Sequence, residues 1–587
     1  MKKTTKPIKI NPIQLEVIKN ALDSVADEMA LIVMRSAYSG IVRDAMDYST
    51  AICDAEGRTL AQGLTTPLHL GSFFDAMLAL TARFRGNVHP EDLFIFNDPY
   101  TASGQHLPDI YIVKPIFLGR TIKGWATTVA HHNDVGGIVP GSNAIGARDI
   151  YGEGLRLPAL KLKERGVDVQ PIWDILKLNV RVPVKVLGDI RAQIAACTVA
   201  ERSYLDLYKR YGVEVTDGYF AEIHRYAERL ARAEIGDIPD GVYRFENYID
   251  GLGAKPEEIL IRVALHVHGD SVTVDWAGTH PQVHAGINSP LPFTKAATYA
   301  ALRSIMSSEV PNSQGFTIPI VVLAPSGSIV NPDDPGACGA RGITGFRMID
   351  CLMGALAQAL PERVPADAFG GATITALGGR HNGGPFVYVE TVMGNTGGMP
   401  NHDGQSGVSH VGANQSNIPV EMVEAEHPVI VDRYEFVPDS GGPGRFRGGV
   451  SMRRDLRLLA DMAVLTIRSD KRKHPPHGLA GGLPGTPSIN IINPEGERRV
   501  LPVLLLEPEI MHRDDVFRHE LAGGGGMGNP LERDPDMVLE DVVLEFVTRE
   551  GAQRDYGVII DGEPPRIDHC ATRALRKWQA RGGEEQA

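Results

Sequence analysis

Residues 93–117 read LFIFNDPYTASGQHLPDIYIVKPIF. Two apolar runs rich in Phe, Ile, Val and Tyr, Leu93–Asn97 and Ile110–Phe117, flank a loop punctuated by Pro, Gly and Ser, which predicts strand–loop–strand. Working outward, Tyr48–Cys53 alternates as a strand and is closed by the turn Asp54–Gly57. Trp125–Ala130 predicts a third strand and opens into a second polar loop, 131–148. On the N-terminal side Asn11-Pro12 supplies a cap and a proline for the first helical position. Leu15, Ile18, Leu22, Val25, Met29, Ile32 and Val33 then recur at helical spacing. Further on, helices are expected over 184–211 and 219–235, period-two strands over 241–279, a helix over 294–307, a strand over 315–323 and a helix over 346–360. Beyond about residue 370 the chain is rich in Gly, Pro and Asn, with helix expected only at 536–549. No fixed-period repeat is present, so a solenoid or propeller is excluded. Strands and helices do not alternate as βαβ units. The expectation is a large α+β fold of several subdomains.

The formal net charge of −13 over 587 residues argues against nucleic-acid binding, which needs clustered Lys and Arg. The basic cluster Arg468–Lys473 contains Asp470 and leads into a Pro-Pro turn, so it reads as a solvated loop. No apolar run approaches the roughly 20 residues that span a bilayer, and the basic start MKKTTKPIKI is not followed by the apolar stretch of a secretory signal. The five cysteines, Cys53, Cys197, Cys338, Cys351 and Cys570, are scattered without paired spacing. They fit reduced thiols and a cytoplasmic location.

The loops at the strand ends concentrate the chemistry. Asp47 (in MDYS), His106 and Asp109 (in HLPD) and His131 (in AHHND) offer imidazoles and carboxylates but no thiolate, a set suited to Mn, Zn or Fe. Pro108 stiffens the link between His106 and Asp109. Turn-forming Asp and core His would explain any one of these residues; four of them at strand ends of one segment favour a metal. Spacing does not choose between His131 and His132. Asp98 (in NDPY) lies in the same loop. The run Gly523–Gly528 lacks the lysine of a phosphate loop, and no strand leads into it within a βαβ unit. It reads as a tight turn or as backbone lining a ligand route, and with the loops around Asn401 it is expected to offer backbone donors to a phosphate. Asn401–Gly404, Asn414, Asn417, Glu421 and Glu424 suit polar contacts or turns equally. No GxSxG elbow is present, and Cys338 has no histidine partner in sequence, so a serine or cysteine nucleophile is not expected.

At these residues the chain resembles the hydantoinase B/oxoprolinase family. The matching pieces are NPIQLEVIKNAL, DYSTAICD, PLHLGS, FNDPYTASGQHLPDI, AHHNDVGG, EGLRLP, GALAQALPERVPA, NIPVEMVE, GRFRGGV, GGGGMGNPLERDP and REGAQRDYGV. They span residues 11–560 in order. The resemblance implies one B-type catalytic region, with a metal-binding part over 11–235, a β-rich part over 236–370 and a Gly-rich part over 371–560, followed by a tail, 561–587. It carries metal ligands onto Asp47, His106, Asp109 and His131, and leaves His132 and Asp134 as candidate catalytic groups. The family usually has Gly-Gly before HLPD, where this chain has Ser103-Gly104-Gln105, so the loop shape beside the metal is expected to differ.

The resemblance further implies a hydantoinase A-type partner that uses ATP to phosphorylate the oxygen of a cyclic amide (hydantoin, 5-oxoproline or lactam). That step removes amide resonance and creates a leaving group; water activated at the metal held by the present chain then opens the ring, with Asp134 as a base that orients it. A heterotetramer or larger assembly is expected. Two alternatives share the motifs: a component of an ATP-dependent acetone- or acetophenone-type carboxylase, and a non-catalytic scaffold with a structural metal.

Overall fold

The computed structural model describes residues 9–63, 66–371 and 373–581. Most of the basic N-terminal start and the last six residues of the tail lie outside them. The chain forms a mixed α+β structure that divides into two units. One comprises residues up to Val242, Val263–Arg341 and Pro385–Val389, and the other Tyr243–Arg262, Gly342–Gly384 and Glu390 onward.

The first unit is built on a seven-stranded antiparallel sheet. Its strands are β1 (Tyr48–Asp54), β2 (Thr59–Gln62), β3 (Leu93–Phe96), β4 (Asp109–Leu118), β5 (Thr121–His131), β6 (Leu160–Glu164) and β7 (Val167–Asp168), in the order β2-β1-β5-β4-β3-β6-β7. Side chains alternate between faces, and both faces are covered. Helix Ser72–Arg83 places Phe73, Ala76, Met77 and Leu80 against Cys53, Phe94, Phe96, Tyr111, Val113 and Trp125. Helices Pro12–Ser36 and Pro183–Tyr211 pack together on the other face, against β1, β4 and β5. The first of these starts as its sequence predicts: Asn11 caps it, its side chain accepting from Ile13 N at 2.9 Å, and Pro12 follows. Double coverage explains why β1, β3 and most of β4 are buried throughout rather than on alternate residues.

The second unit contains the helix Gly342–Ala359 and a five-stranded sheet ordered Val429–Val437, Ser451–Leu458, Val516–Glu520, Ile489–Ile492 and Arg499–Leu501. The run Gly523–Gly528 lies here, and it corrects one expectation. The six amides from Gly523 to Gly528 donate in turn to the carbonyls of Thr486, Gly449, Asp367, Leu483, Phe446 and Leu479. No amide in that run remains to receive a phosphate. Glycine is required because neighbouring segments touch backbone to backbone: a Cβ on Gly525 would sit 2.1 Å from the His477 carbonyl, and one on Gly448 2.0 Å from that of Gly524. Asp403, in the loop of Asn401, is likewise structural, holding Arg533 at 2.6 Å and the Arg447 amide at 2.7 Å. The helix expected over 536–549 is two helices, Pro535–Val543 and Arg549–Tyr556. Glu545 at φ 61° breaks the first, and Thr548 caps the second by accepting from Gly551 N. Among the described residues no helix is long and apolar enough to cross a membrane.

Candidate metal centre

Asp109 is the first residue of β4 and His131 the last of β5, and the antiparallel register pairs them directly. His106 belongs to the turn that enters β4: Asp109 N donates to His106 O at 3.1 Å, which folds the histidine back beside the carboxylate. The three side chains converge, with ligand atoms all within 4.8 Å of one another, and all three are buried. The His106 and His131 rings lie 5.0 Å apart, tilted by 52°. Two imidazoles and one carboxylate match the three protein ligands of many catalytic metal sites, which keep a further position open.

The chemistry of His106 tests the fit. Its Nδ1 lies 2.8 Å from the Gly339 carbonyl, which can only accept, so in the neutral ring the proton sits on Nδ1. Nε2 then presents a lone pair, and it faces Asp109 Oδ1 at 3.1 Å. Both atoms are buried and neither makes a hydrogen bond. Two electron-rich atoms held this close in a dry interior call for a cation between or beside them. Burial, reinforced by the Arg341 guanidinium, depresses the His106 pKa to about 4, so the ring is neutral at physiological pH. Burial alone would raise the Asp109 carboxyl, yet it is held well below the usual carboxylate range, with the Arg341 guanidinium paired to it. A neutral imidazole and an ionised carboxylate are the ligand forms a divalent metal requires.

The surroundings fix the carboxylate. Arg341 Nη2 donates to Asp109 Oδ2 at 2.5 Å and to Gln105 Oε1 at 3.2 Å, and its guanidinium lies 4.1 Å from the centre of the Phe293 ring. His69 Nε2 stands 3.7 Å from the same Oδ2, and its Nδ1 is 2.7 Å from Ser49 Oγ. Oδ2 is thus committed, and Oδ1 is left for a metal. Gln105 also donates to Leu68 O at 2.8 Å and so braces the loop entering His106. Gly104 before it is obligatory, since a Cβ there would lie 2.2 Å from Asn97 O.

The other residues singled out in the sequence lie around this group. Asp47 is buried, and its carbonyl accepts from His131 N at 2.9 Å; its carboxylate is not among the three converging groups. His132 turns to helix Pro183–Tyr211, its Nε2 3.1 Å from Gln193 Oε1. Asp134 organises its own loop: Oδ1 accepts from Gly136 N and Arg181 N, and Oδ2 from Gly141 N and Arg181 Nη1. Asp98 does the same for the 98–104 loop, accepting from Tyr100 N and Thr101 N and pairing with Arg156. Cys338 is buried, with its thiol 3.7 Å from Glu153 Oε2. Sequence reasoning does not single out His69 or Arg341. His69 sits inside the PLHLGS string; Arg341 comes from more than 200 residues away along the chain, and no local signal marks it.

The hydantoinase B/oxoprolinase family model matches residues 11–530, and the chain belongs to that family. It is 35% identical, over 97% of its length and 98% of the other protein's, to a protein of Pseudomonas sp. (strain NS671) provisionally named as the B component of a D-/L-hydantoinase. It is 31% identical to the beta component of the caprolactamase of Pseudomonas jessenii, over 97% of this chain and 99% of that one. The crystal structure of the ATP-dependent caprolactamase from that organism superposes with a TM-score of 0.90 at 29% identity, covering 97% of this chain and 100% of the other. An acetone carboxylase structure shares the fold, with a TM-score of 0.90 at 19% identity over 98% of this chain and 84% of that one.

Proposed function

We propose that this chain is the metal-dependent hydrolytic component of a two-component, ATP-dependent enzyme that opens a cyclic amide of the hydantoin, 5-oxoproline or lactam class. The observation that carries the reading is the buried meeting of His106 Nε2 and Asp109 Oδ1 at 3.1 Å, beside His131 and with no hydrogen bond on either atom. His106, Asp109 and His131 hold a divalent ion, Mn, Zn or Fe, with Asp47 adjoining through the backbone of His131. When bound, the metal supplies Lewis acidity and lowers the pKa of water. The chain's own residues prepare the site. Gly339 fixes the His106 tautomer, Arg341 and His69 hold Asp109 Oδ2, and burial excludes bulk water. The partner, of hydantoinase A type, makes the phosphorylated amide, whose lost resonance leaves its carbon open to attack and its phosphate ready to depart. Two relatives carry names that make each of them one component, B or beta, of a larger enzyme, which supports a multi-chain assembly, here a heterotetramer or larger.

The test is reconstitution. The chain co-expressed with its A-type partner should hydrolyse ATP only when a hydantoin, 5-oxoproline or lactam is added, and should lose ring opening after chelation. ATP consumption that instead requires a ketone and bicarbonate would replace this reading with a carboxylase.

A further inference from the structure

Glu153 is wholly buried in the first unit, and the hydrogen bonds it accepts come from one short turn. Its Oε1 takes the amides of Cys338 at 2.8 Å and Gly339 at 2.5 Å, and its Oε2 lies 3.7 Å from the Cys338 thiol. The turn closes on itself, Arg341 N donating to Cys338 O at 3.0 Å, and is tied to a neighbouring segment by Ala340 N on Gly286 O at 2.6 Å. The space around the carboxyl is tailored: a Cβ on Gly339 would lie 3.0 Å from Oε1, and one on Gly286 3.2 Å. Burial pushes the Glu153 carboxyl up to about 8, so at neutral pH it serves chiefly as a neutral acceptor.

That turn supports two ligands at once. The Gly339 carbonyl takes the Nδ1 proton of His106, and two residues later Arg341 takes Oδ2 of Asp109. An error in the position of the turn would therefore tilt the imidazole and release the carboxylate together. We propose that Glu153 is the positioning residue of the metal centre, acting through Gly339 and Arg341 to aim His106 Nε2 and Asp109 Oδ1 at a common point. The proposal rests on the metal-centre reading above. It explains why a carboxyl is kept in a dry interior with backbone amides and a thiol as its hydrogen-bonding partners, an arrangement that costs stability unless it secures something else.

The experiment measures Mn²⁺ and Zn²⁺ binding to the purified full chain by calorimetry, with thermal unfolding in chelator recorded alongside. Partners that orient metal ligands typically change affinity by 10–100-fold, and Glu153→Ala should weaken binding by about tenfold or more. Glu153→Gln, which keeps the Oε1 acceptor and the shape, should restore affinity to within about threefold of wild type. Asp54→Asn alters another buried carboxylate of the unit, one paired with Arg58 and His224. It should cost stability and leave metal affinity unchanged. If Glu153→Ala does not fold, Glu153→Asp, which withdraws the carboxyl from both amides, takes its place with the same expectation. Equal affinity in wild type and Glu153→Ala, or an equal loss in Asp54→Asn, overturns the positioning role. Absence of divalent binding in the wild type overturns the metal-centre reading itself, so the two failures are told apart.

Discussion

Replacing Arg341 with Met isolates the competition between an internal cation and a metal for one carboxylate. In the wild type the guanidinium is the full charge closest to Asp109, at 2.5 Å, in a setting where Arg341 is 5% exposed and Asp109 1%. Methionine keeps much of the packing over Phe293 and removes the charge. Breaking a buried ion pair by deleting one partner costs about 3–5 kcal/mol, because the other charge is stranded; the lost contact of Arg341 with Phe293 adds about 1–2 kcal/mol. The chelated variant should thus be destabilised by roughly 4–7 kcal/mol, the sum of those two ranges. A divalent ion offers Asp109 a substitute cation, so saturating Mn²⁺ should stabilise the variant more than the wild type and narrow the gap. Denaturant titration followed by tryptophan fluorescence is the assay, since three of the four tryptophans, Trp125, Trp173 and Trp276, lie in the unit that holds the site. A chelated variant as stable as wild type, or a gap that stays constant when Mn²⁺ is added, refutes the claim that Arg341 and a metal share Asp109.

His106→Ala removes one ligand of the group and should abolish stoichiometric metal in elemental analysis of the purified chain; full retention would remove His106 from the site. Glu153 gives a pH signature: its folded-state pKa of about 8 lies above the ordinary 4.5, so the folded state binds the proton more tightly. Its contribution is complete below pH ~4.5 and is lost as pH rises to about 8, by at most on the order of 5 kcal/mol. Glu153→Gln should flatten that decline in chelated protein, and an unchanged slope would assign it to other groups. Gly525→Ala would force a methyl to within 2.1 Å of the His477 carbonyl; it should destabilise the second unit by ~3 kcal/mol or more, read as a lower melting temperature, and a neutral result would show that the glycine segments can part.

The strands of the first unit are legible because β-branched and aromatic runs bounded by turn residues carry a local signal. His106, Asp109 and His131 are legible because they sit at the ends of those strands, where register alone brings them together. What cannot be read is what arrives from a distance. Arg341 and Glu153 are fixed by contacts more than 180 residues apart in sequence, and neither has a neighbour along the chain that betrays its role. Asp134 shows a further demand that composition leaves unspecified. A polar residue just after the paired histidines reads as a catalytic base, yet its loop has to turn through Gly136 and Gly137 at φ 90° and 83°, and the carboxylate is used to hold that turn with Arg181. The glycine run misleads for a related reason. Its composition reports that something approaches the backbone closely, but a phosphate and another backbone leave the same mark, and only the partners of the six amides distinguish them. Composition at a loop therefore reveals a demand for close approach or for hydrogen bonding. The identity of what satisfies that demand is a property of the tertiary fold, which is why the ligand set could be proposed from sequence while the residues that aim it could not.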